Sequence, residues 1–185
     1  MKYYVSIKLI LTAILMVSVI LGHFSPAIAY GKNKQSLAYE QVEETLRPYV
    51  TVTDDEVFFD RERALADDLG EEPLLVGETL NKLNNAYGTK DETKVSALKI
   101  SLPIWGNWCG PGYGGGEPQN LLDQGCMQHD LCYDKKGYLD CTCDEALIDH
   151  IDRYASKMGF LEKATAYAVK FYFSVAPCTP HADFS

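Results

Sequence analysis

The pattern of apolar and polar positions divides the 185-residue chain into three parts. The first has a basic start with Lys2, then a long, mainly apolar run, and ends at Ala27-Ile28-Ala29. The second, residues 30–100, is acidic and has short stretches of helical spacing. The third, residues 101–185, has longer helical patterns and contains all six cysteines. We therefore expect three segments with different roles.

The apolar run at residues 1–29 is typical of a secretory signal peptide. A basic start, an apolar middle and an A-x-A ending predict cleavage after Ala29. An uncleaved membrane anchor is the alternative, because the run is near the shortest length that spans a bilayer. No later segment has an apolar run of spanning length, so we expect a secreted protein.

The acidic part, residues 30–100, begins its helical pattern at a capping box. Thr53 and Glu56 have the spacing in which a hydroxyl and a carboxylate each bond one unpaired amide at a helix start. A helix should follow through Val57 and Leu65 and end before Gly70.

A second helix is predicted in the acidic part from about residue 74 to residue 86, where leucines recur at helical spacing before Gly88. No cluster of residues in this part could carry out chemistry. We interpret residues 30–100 as an acidic N-terminal extension that supports or links, with a removable propeptide as the alternative.

Two long helices are predicted in the cysteine-rich part. The first should span about residues 119–134 and stop at Gly137, after cations in its last turn. The second should begin near Cys143 and continue past Phe173, with Gly159 as a kink or interruption. Strand signal is scarce, so the sequence predicts a mainly α, disulfide-stapled domain.

Charge and cysteine content narrow the function classes. The net charge of −9 argues against nucleic acid as a partner and against strong electrostatic docking to anionic membranes. An even number of cysteines suits an exported protein whose thiols are paired in disulfides.

The strongest chemical signal lies in the first helix of the cysteine-rich part. His129 and Asp130 are adjacent and therefore point about 100° apart around the helix. If Cys132 bonds Cys143, Asp144 comes close to the turn that carries His129. Its carboxylate could then accept the imidazole N–H and stabilise the imidazolium that forms when the other nitrogen takes a proton from water.

Asp130 is expected to face a glycine-rich loop at residues 108–116. Glycine tolerates the backbone angles that let the carbonyls of Trp108, Gly110 and Gly112 point at one centre. A carboxylate with several carbonyls forms a hard oxygen shell, which suits calcium rather than zinc.

Three motifs, in this order, resemble those of secreted, calcium-dependent phospholipase A2, most closely its bee-venom or group III branch. They are Trp108-Cys109-Gly110-x-Gly112, Cys126-x-x-His129-Asp130-x-Cys132 and Cys141-x-Cys143-Asp144. The resemblance covers about residues 103–178 and nothing upstream. It implies a mainly α fold with two long antiparallel disulfide-linked helices and a calcium-binding loop, here preceded by a helical acidic N-terminal extension.

The resemblance implies hydrolysis of the sn-2 ester of a glycerophospholipid, at a bilayer or micelle interface, to a free fatty acid and a lysophospholipid. It makes His129 the general base and Asp144 its orienting partner. The implied Ca²⁺ ligands are the carbonyls of Trp108, Gly110 and Gly112 and the carboxylate of Asp130.

Two further features follow from the resemblance. Tyr133 and Tyr172 compete for the role of bonding Asp144, and the bee-type pattern favours Tyr172 as part of the catalytic set. The implied disulfides are Cys109 with Cys126, Cys132 with Cys143, and Cys141 with Cys178.

Other interpretations of the same residues are kept open. A zinc site could use His129, Cys126 and Cys132 with a further cysteine as ligands. The absence of any free thiol among the six cysteines would exclude this zinc site. A catalytically silent protein of the same fold, binding lipid or a receptor with calcium, is the second rival. Three aromatic residues could form an apolar rim that contacts lipid: Trp105, Trp108 and Tyr113. They could equally be buried as part of the core.

Overall fold

Six α-helices and one two-stranded sheet occur in residues 36–53, 56–87 and 103–180, which the computed structural model describes. The predicted signal peptide, residues 1–29, and the junction near residue 101 lie outside the described residues. The elements are α1 (Tyr39–Leu46), β1 (Val50–Val52), β2 (Val57–Phe59), α2 (Arg61–Ala66), α3 (Glu71–Tyr87), α4 (Leu121–Lys136), α5 (Cys141–Tyr154) and α6 (Phe160–Val175).

The prediction of a helix after Thr53 is wrong for the first half of that segment. Strand β2 stands there instead and pairs antiparallel with β1, with Val52 opposite Val57. Val57 and Phe59 are buried while Phe58 between them is exposed, which is the two-residue period of a strand. The acidic extension is therefore not wholly helical.

The supposed capping box closes a turn of the hairpin. The Thr53 amide donates to the Glu56 carbonyl, and the Glu56 amide donates to the Thr53 hydroxyl. The helix starts only at Arg61, where the Asp60 carboxylate accepts a hydrogen bond from the Arg63 amide.

Two predicted helices are confirmed with small shifts at their ends. Helix α3 includes the predicted residues 74–86. Helix α4 begins and ends two residues later than expected; the Asn120 side chain caps its start by accepting from the Asp123 amide, and Gly137 ends it with φ 110°.

The second long helix of the cysteine-rich part is in fact two helices. Helix α5 ends at Tyr154, a short 3₁₀ turn follows, and α6 starts at Phe160. Gly159 interrupts the helical run because its backbone is extended, with φ −67° and ψ 166°, and it precedes α6 as the N-cap.

The described acidic segment shares one hydrophobic core with the cysteine-rich part. Helix α3 packs along α6, and the fully buried Leu80 of α3 belongs to the same apolar cluster as Ala166 and Val169 of α6. The buried Glu72 carboxylate accepts hydrogen bonds from the Ser36 hydroxyl and the Leu37 amide. Nowhere in the described residues is a helix both long and apolar enough to cross a membrane.

All three expected disulfides are confirmed. Cys109 bonds Cys126, Cys132 bonds Cys143, and Cys141 bonds Cys178. No cysteine is left as a free thiol, which excludes the thiolate zinc site. The bonds attach the glycine-rich loop to α4, α4 to α5, and the C-terminal tail to the start of α5.

Candidate active site

His129 and Asp144 form a buried pair between α4 and α5. Nε2 of His129 lies 2.8 Å from Oδ1 of Asp144, and both side chains are about 5% exposed or less. The Cys132–Cys143 disulfide holds the two helices together next to the pair. With the proton on Nε2, the ring is oriented by the carboxylate and Nδ1 is left as the acceptor.

Asp130 lies on the other side of the imidazole. Its Oδ1 is 3.7 Å from Nδ1 of His129, and its side chain is one-third exposed. Burial raises the pKa of Asp130, and the contact with His129 opposes that rise. Burial acts to lower the pKa of His129, but the carboxylates of Asp130 and Asp144 together outweigh it and hold the pKa above its usual value.

The tyrosine that bonds Asp144 is Tyr133, whereas the sequence favoured Tyr172. The Tyr133 hydroxyl donates a short hydrogen bond to Oδ1 of Asp144. Tyr133 stands one helical turn after His129, with the two ring centroids 4.1 Å apart, so it reaches the same carboxylate. Tyr172 is on α6 and packs its ring against Tyr87 of α3.

Removing the two hydroxyl groups one at a time separates these tyrosines. We expect Tyr133→Phe to lower the free energy of unfolding by about 1–2 kcal/mol, because a buried carboxylate loses a donor. Tyr172→Phe is the matched control and should change it by less than about 0.5 kcal/mol, since no described residue bonds that hydroxyl. Urea denaturation of both variants measures the difference, and equal losses would contradict the assignment.

Phe173 is a site residue that the sequence did not identify. Its ring centroid lies 4.8 Å from that of His129, so the imidazole contacts Phe173 as well as Tyr133. The only sequence signal was the apolar spacing of α6, which predicts a buried face but not what that face covers.

The sequence also missed Asp123, which fixes the glycine-rich loop. Its carboxylate is fully buried and accepts hydrogen bonds from the amides of Asn107, Trp108 and Gln119. A Cβ at Gly106, where φ is 57°, would lie 2.3 Å from this carboxyl group, so the loop requires glycine there. The first-turn position of Asp123 in α4 was its only signal.

The glycine-rich loop is close to Asp130. A Cβ built on Gly114 would be 3.5 Å from Oδ2 of Asp130 and 2.8 Å from the Trp108 ring. Gly110 and Gly112 have positive φ angles of 142° and 62°. Trp108 further restrains the loop by donating from Nε1 to the Gly116 carbonyl at 3.0 Å.

Asp130 and the backbone of the glycine-rich loop offer oxygen donors, the type that a hard cation binds. Among the described residues, no group of three or more His, Cys, Asp or Glu side chains could hold a metal ion, so any cation here needs backbone oxygens beside Asp130. The Gly110 carbonyl accepts from the Tyr113 amide at 3.2 Å, while no described residue donates to the carbonyls of Trp108 and Gly112. One carboxylate with several carbonyls is a set that calcium prefers.

The aromatic residues proposed for a lipid-facing rim are only partly exposed. Trp105 and Trp108 are partly buried and pack against the core, and Nε1 of Trp105 donates to the Asn120 side chain. Tyr113 is also half-buried. The most exposed aromatic near the site is Tyr138, at 64%, whose ring contacts that of Tyr133.

A small pocket lies beside the buried pair. His129, Asp130, Trp108 and Gly110 line it, so the imidazole, the carboxylate and the glycine-rich loop face one space. Its volume is about 10 Å³, which is room for one water molecule. The site can thus hold the water that a general base would activate.

Comparisons with known proteins give partial matches. No family model matches the chain, and no solved structure is significantly similar to it. Probable phospholipase A2 homolog 1 of Oryza sativa subsp. japonica is 38% identical over 64 residues, covering 32% of this chain and 46% of that protein. The basic phospholipase A2 component of nigroviriditoxin, from Bothriechis nigroviridis, is 36% identical over 72 residues, covering 39% of this chain and 52% of that protein. The chain spans about half the length of these curated relatives, and the similarity supports the phospholipase A2 family without selecting its bee-venom branch.

Proposed function

We propose that this chain is a secreted, calcium-dependent phospholipase A2. It hydrolyses the sn-2 ester of glycerophospholipids at a bilayer or micelle interface and releases a fatty acid and a lysophospholipid. The observation that carries the proposal is the buried contact of 2.8 Å between Nε2 of His129 and Asp144, with Nδ1 on the side of Asp130. Three disulfides support export to an oxidising compartment.

In the proposed reaction His129 is the general base. Nδ1 takes a proton from water as the oxygen attacks the ester carbonyl, and later returns a proton to the departing glycerol oxygen. Asp144 stabilises the imidazolium and fixes the ring, and Tyr133 holds that carboxylate in place. The rings of Phe173 and Tyr133 contact the imidazole and help to bury it.

The residues for a calcium site are Asp130 and the carbonyls of Trp108, Gly110 and Gly112. Calcium bound there would supply positive charge to the developing oxyanion and to the substrate phosphate. The chain's own contribution is to hold the loop beside the base, through Asp123 and through the Cys109–Cys126 disulfide.

The proposal is tested by fatty-acid release from phosphatidylcholine with different acyl chains at sn-1 and sn-2. Release should come from sn-2 and should stop when a chelator removes calcium. Release from sn-1, or release that persists in the chelator, contradicts the proposal. Calcium-dependent vesicle binding without any release would instead favour a catalytically silent lipid-binding protein.

The pH dependence of the reaction should report the state of His129. The base has to be neutral, so kcat/KM should rise with pH through its pKa, which the carboxylates of Asp130 and Asp144 hold above the usual value. In Asp144→Asn one of these carboxylates is lost, so the rising limb should move to lower pH. The plateau should also fall roughly 10- to 100-fold, because the ring loses its orienting partner. Rate profiles at one saturating calcium concentration test this, and an unmoved limb contradicts it.

A further inference from the structure

The turn between α4 and α5 exposes an aromatic ring beside the candidate site. Tyr138 in this turn is 64% exposed, more than any other large apolar or aromatic side chain of the described residues. Its ring packs edge to face against that of Tyr133, with the centroids 5.4 Å apart. The Tyr133 hydroxyl bonds Asp144, the partner of His129. Only one side chain therefore separates the exposed ring from the buried pair.

Tyr138 is also near the solvent-facing edge of the site. Partial burial raises the pKa of Tyr138, and the carboxylates of Asp130 and Asp144 raise it further, so both carboxylates act on its hydroxyl. Asp130 lines the pocket beside His129, and its side chain is one-third exposed. The exposed ring is thus a neighbour of the part of the site that solvent reaches.

The shape of this turn is fixed by contacts with the C-terminal tail. The Thr179 amide donates to the Leu139 carbonyl at 2.7 Å, and the Cys141–Cys178 disulfide ties the same tail to the start of α5. Leu139 has a left-handed backbone with φ 66°, which is unfavourable for a residue with a side chain and needs support from its surroundings. The ring of Tyr138 is therefore held at the surface by a braced turn.

The charges beside Tyr138 fit the phosphate groups of lipids. Lys135 and Lys136 are in the last turn of α4, and both are exposed. Lys136 donates to the Thr142 hydroxyl, and no described carboxylate forms an ion pair with either lysine. Asp134 is the one acidic residue of the exposed stretch 134–138, so this stretch is locally positive in a chain of net charge −9.

An aromatic ring with lysines beside it suits the headgroup region of a phospholipid layer. Tyrosine favours the boundary between lipid and water, because its ring is apolar and its hydroxyl can stay hydrated. A lysine can lay its methylene groups along apolar surface while its ammonium group reaches a phosphate. The negative charge of the whole chain opposes an anionic surface, so the favoured surface is zwitterionic.

We propose that Lys135, Lys136 and Tyr138 form a docking surface for zwitterionic phospholipid, which holds the candidate site against the lipid layer. This inference deepens the proposed function and rests on it, since the lipid layer is where the substrate ester lies. It assigns the contact to a turn that none of the three sequence motifs includes.

The experiment measures binding to vesicles of diether phosphatidylcholine, which has no ester to hydrolyse, by sedimentation in calcium. Tyr138→Ala should lower the partition coefficient about five- to tenfold, because the ring can no longer leave water. Tyr138→Trp keeps an aromatic ring that favours the interface and should bind at least as tightly as the unmodified chain. Phe58→Ala removes another exposed ring, on β2, and should change binding by less than about twofold.

A pair of double variants tests the lysines. Lys135→Gln combined with Lys136→Gln should weaken vesicle binding about threefold, because two contacts with phosphate are lost. Lys82→Gln combined with Lys157→Gln makes the same charge change at exposed positions on α3 and after α5, and should leave binding unchanged. Equal losses in the two double variants would show an effect of net charge and would remove the lysines from the docking surface.

Vesicle binding by Tyr138→Ala that equals that of the unmodified chain overturns the docking surface. An equal loss in Phe58→Ala, or no vesicle binding by the unmodified chain, overturns it too. If Tyr138→Ala does not fold, judged by free thiols and thermal unfolding, Tyr138→Gln replaces it and should show the same loss.

Fatty-acid release from vesicles of ordinary phosphatidylcholine, measured in parallel, separates this inference from the proposed function. Vesicle binding that depends on Tyr138, without release by the unmodified chain, would refute the proposed function and leave the docking surface standing. Release by the unmodified chain, with vesicle binding that does not depend on Tyr138, would support the function and overturn the docking surface.

Discussion

Replacing His129 with glutamine should lower fatty-acid release at least about 1,000-fold at saturating calcium. Glutamine has a similar reach and can still donate a hydrogen bond to Asp144, but it cannot take a proton from water near neutral pH. Among the described residues, only His129 both contacts the Asp144 carboxylate and lines the pocket. We therefore expect no other residue to act as the base in its place. Initial rates on sn-2-labelled phosphatidylcholine measure the loss.

Two controls give this result its meaning. Gln128→Ala changes an exposed neighbour on the same helix and should leave the rate within about twofold. Calcium binding by His129→Gln should persist, since the histidine is not one of the proposed ligands. A variant that binds calcium, contains no free thiol and still releases fatty acid at the original rate would refute the role of His129 as the base.

The sequence predicted the structure correctly where residues within one helical turn determine it. Gly137 ends α4 as expected, and Asn120 caps its start close to the predicted residue, because caps depend on groups within one helical turn. The same local rules failed at Thr53 and Glu56, since a hydroxyl three residues before an acid can close a hairpin turn as well as a helix start. Only the pairing of Val57 with Val52, which is a tertiary preference, decides between them.

The contacts of the candidate site depend on which helix faces meet, and a single sequence does not contain that information directly. The pairing of His129 with Asp144 was nevertheless predictable, because a disulfide next to Asp144 restricts the distance. No such constraint linked Tyr133 or Tyr172 to the carboxylate; the bee-type pattern favoured Tyr172, whereas in the structure the Tyr133 hydroxyl makes the bond. The contacts of Phe173 with His129, and of Tyr87 with Phe173, join parts of the chain that carry no shared motif.

Asp130→Asn should remove most of the effect of calcium on fatty-acid release and on thermal stability. Asparagine keeps the shape and one carbonyl oxygen but loses the negative charge, and calcium affinity depends strongly on the number of charged ligands. In the proposed site Asp130 is the one charged ligand, since its other donors are backbone carbonyls. We expect calcium affinity to fall at least about 100-fold, and fatty-acid release at fixed submillimolar calcium to fall by at least a similar factor.

Thermal unfolding with and without calcium gives a readout that does not depend on activity. A ligand that binds only the folded state stabilises it by RT ln(1 + [L]/Kd), about 2.7 kcal/mol at one hundred times Kd. The unmodified chain should therefore unfold at a higher temperature in calcium, and Asp130→Asn should not. Asp134→Asn makes the same charge change at an exposed position one turn later on α4 and should keep the full calcium response. If both variants lose that response equally, the effect of Asp130 is one of net charge rather than ligation, and the glycine-rich loop is not the calcium site.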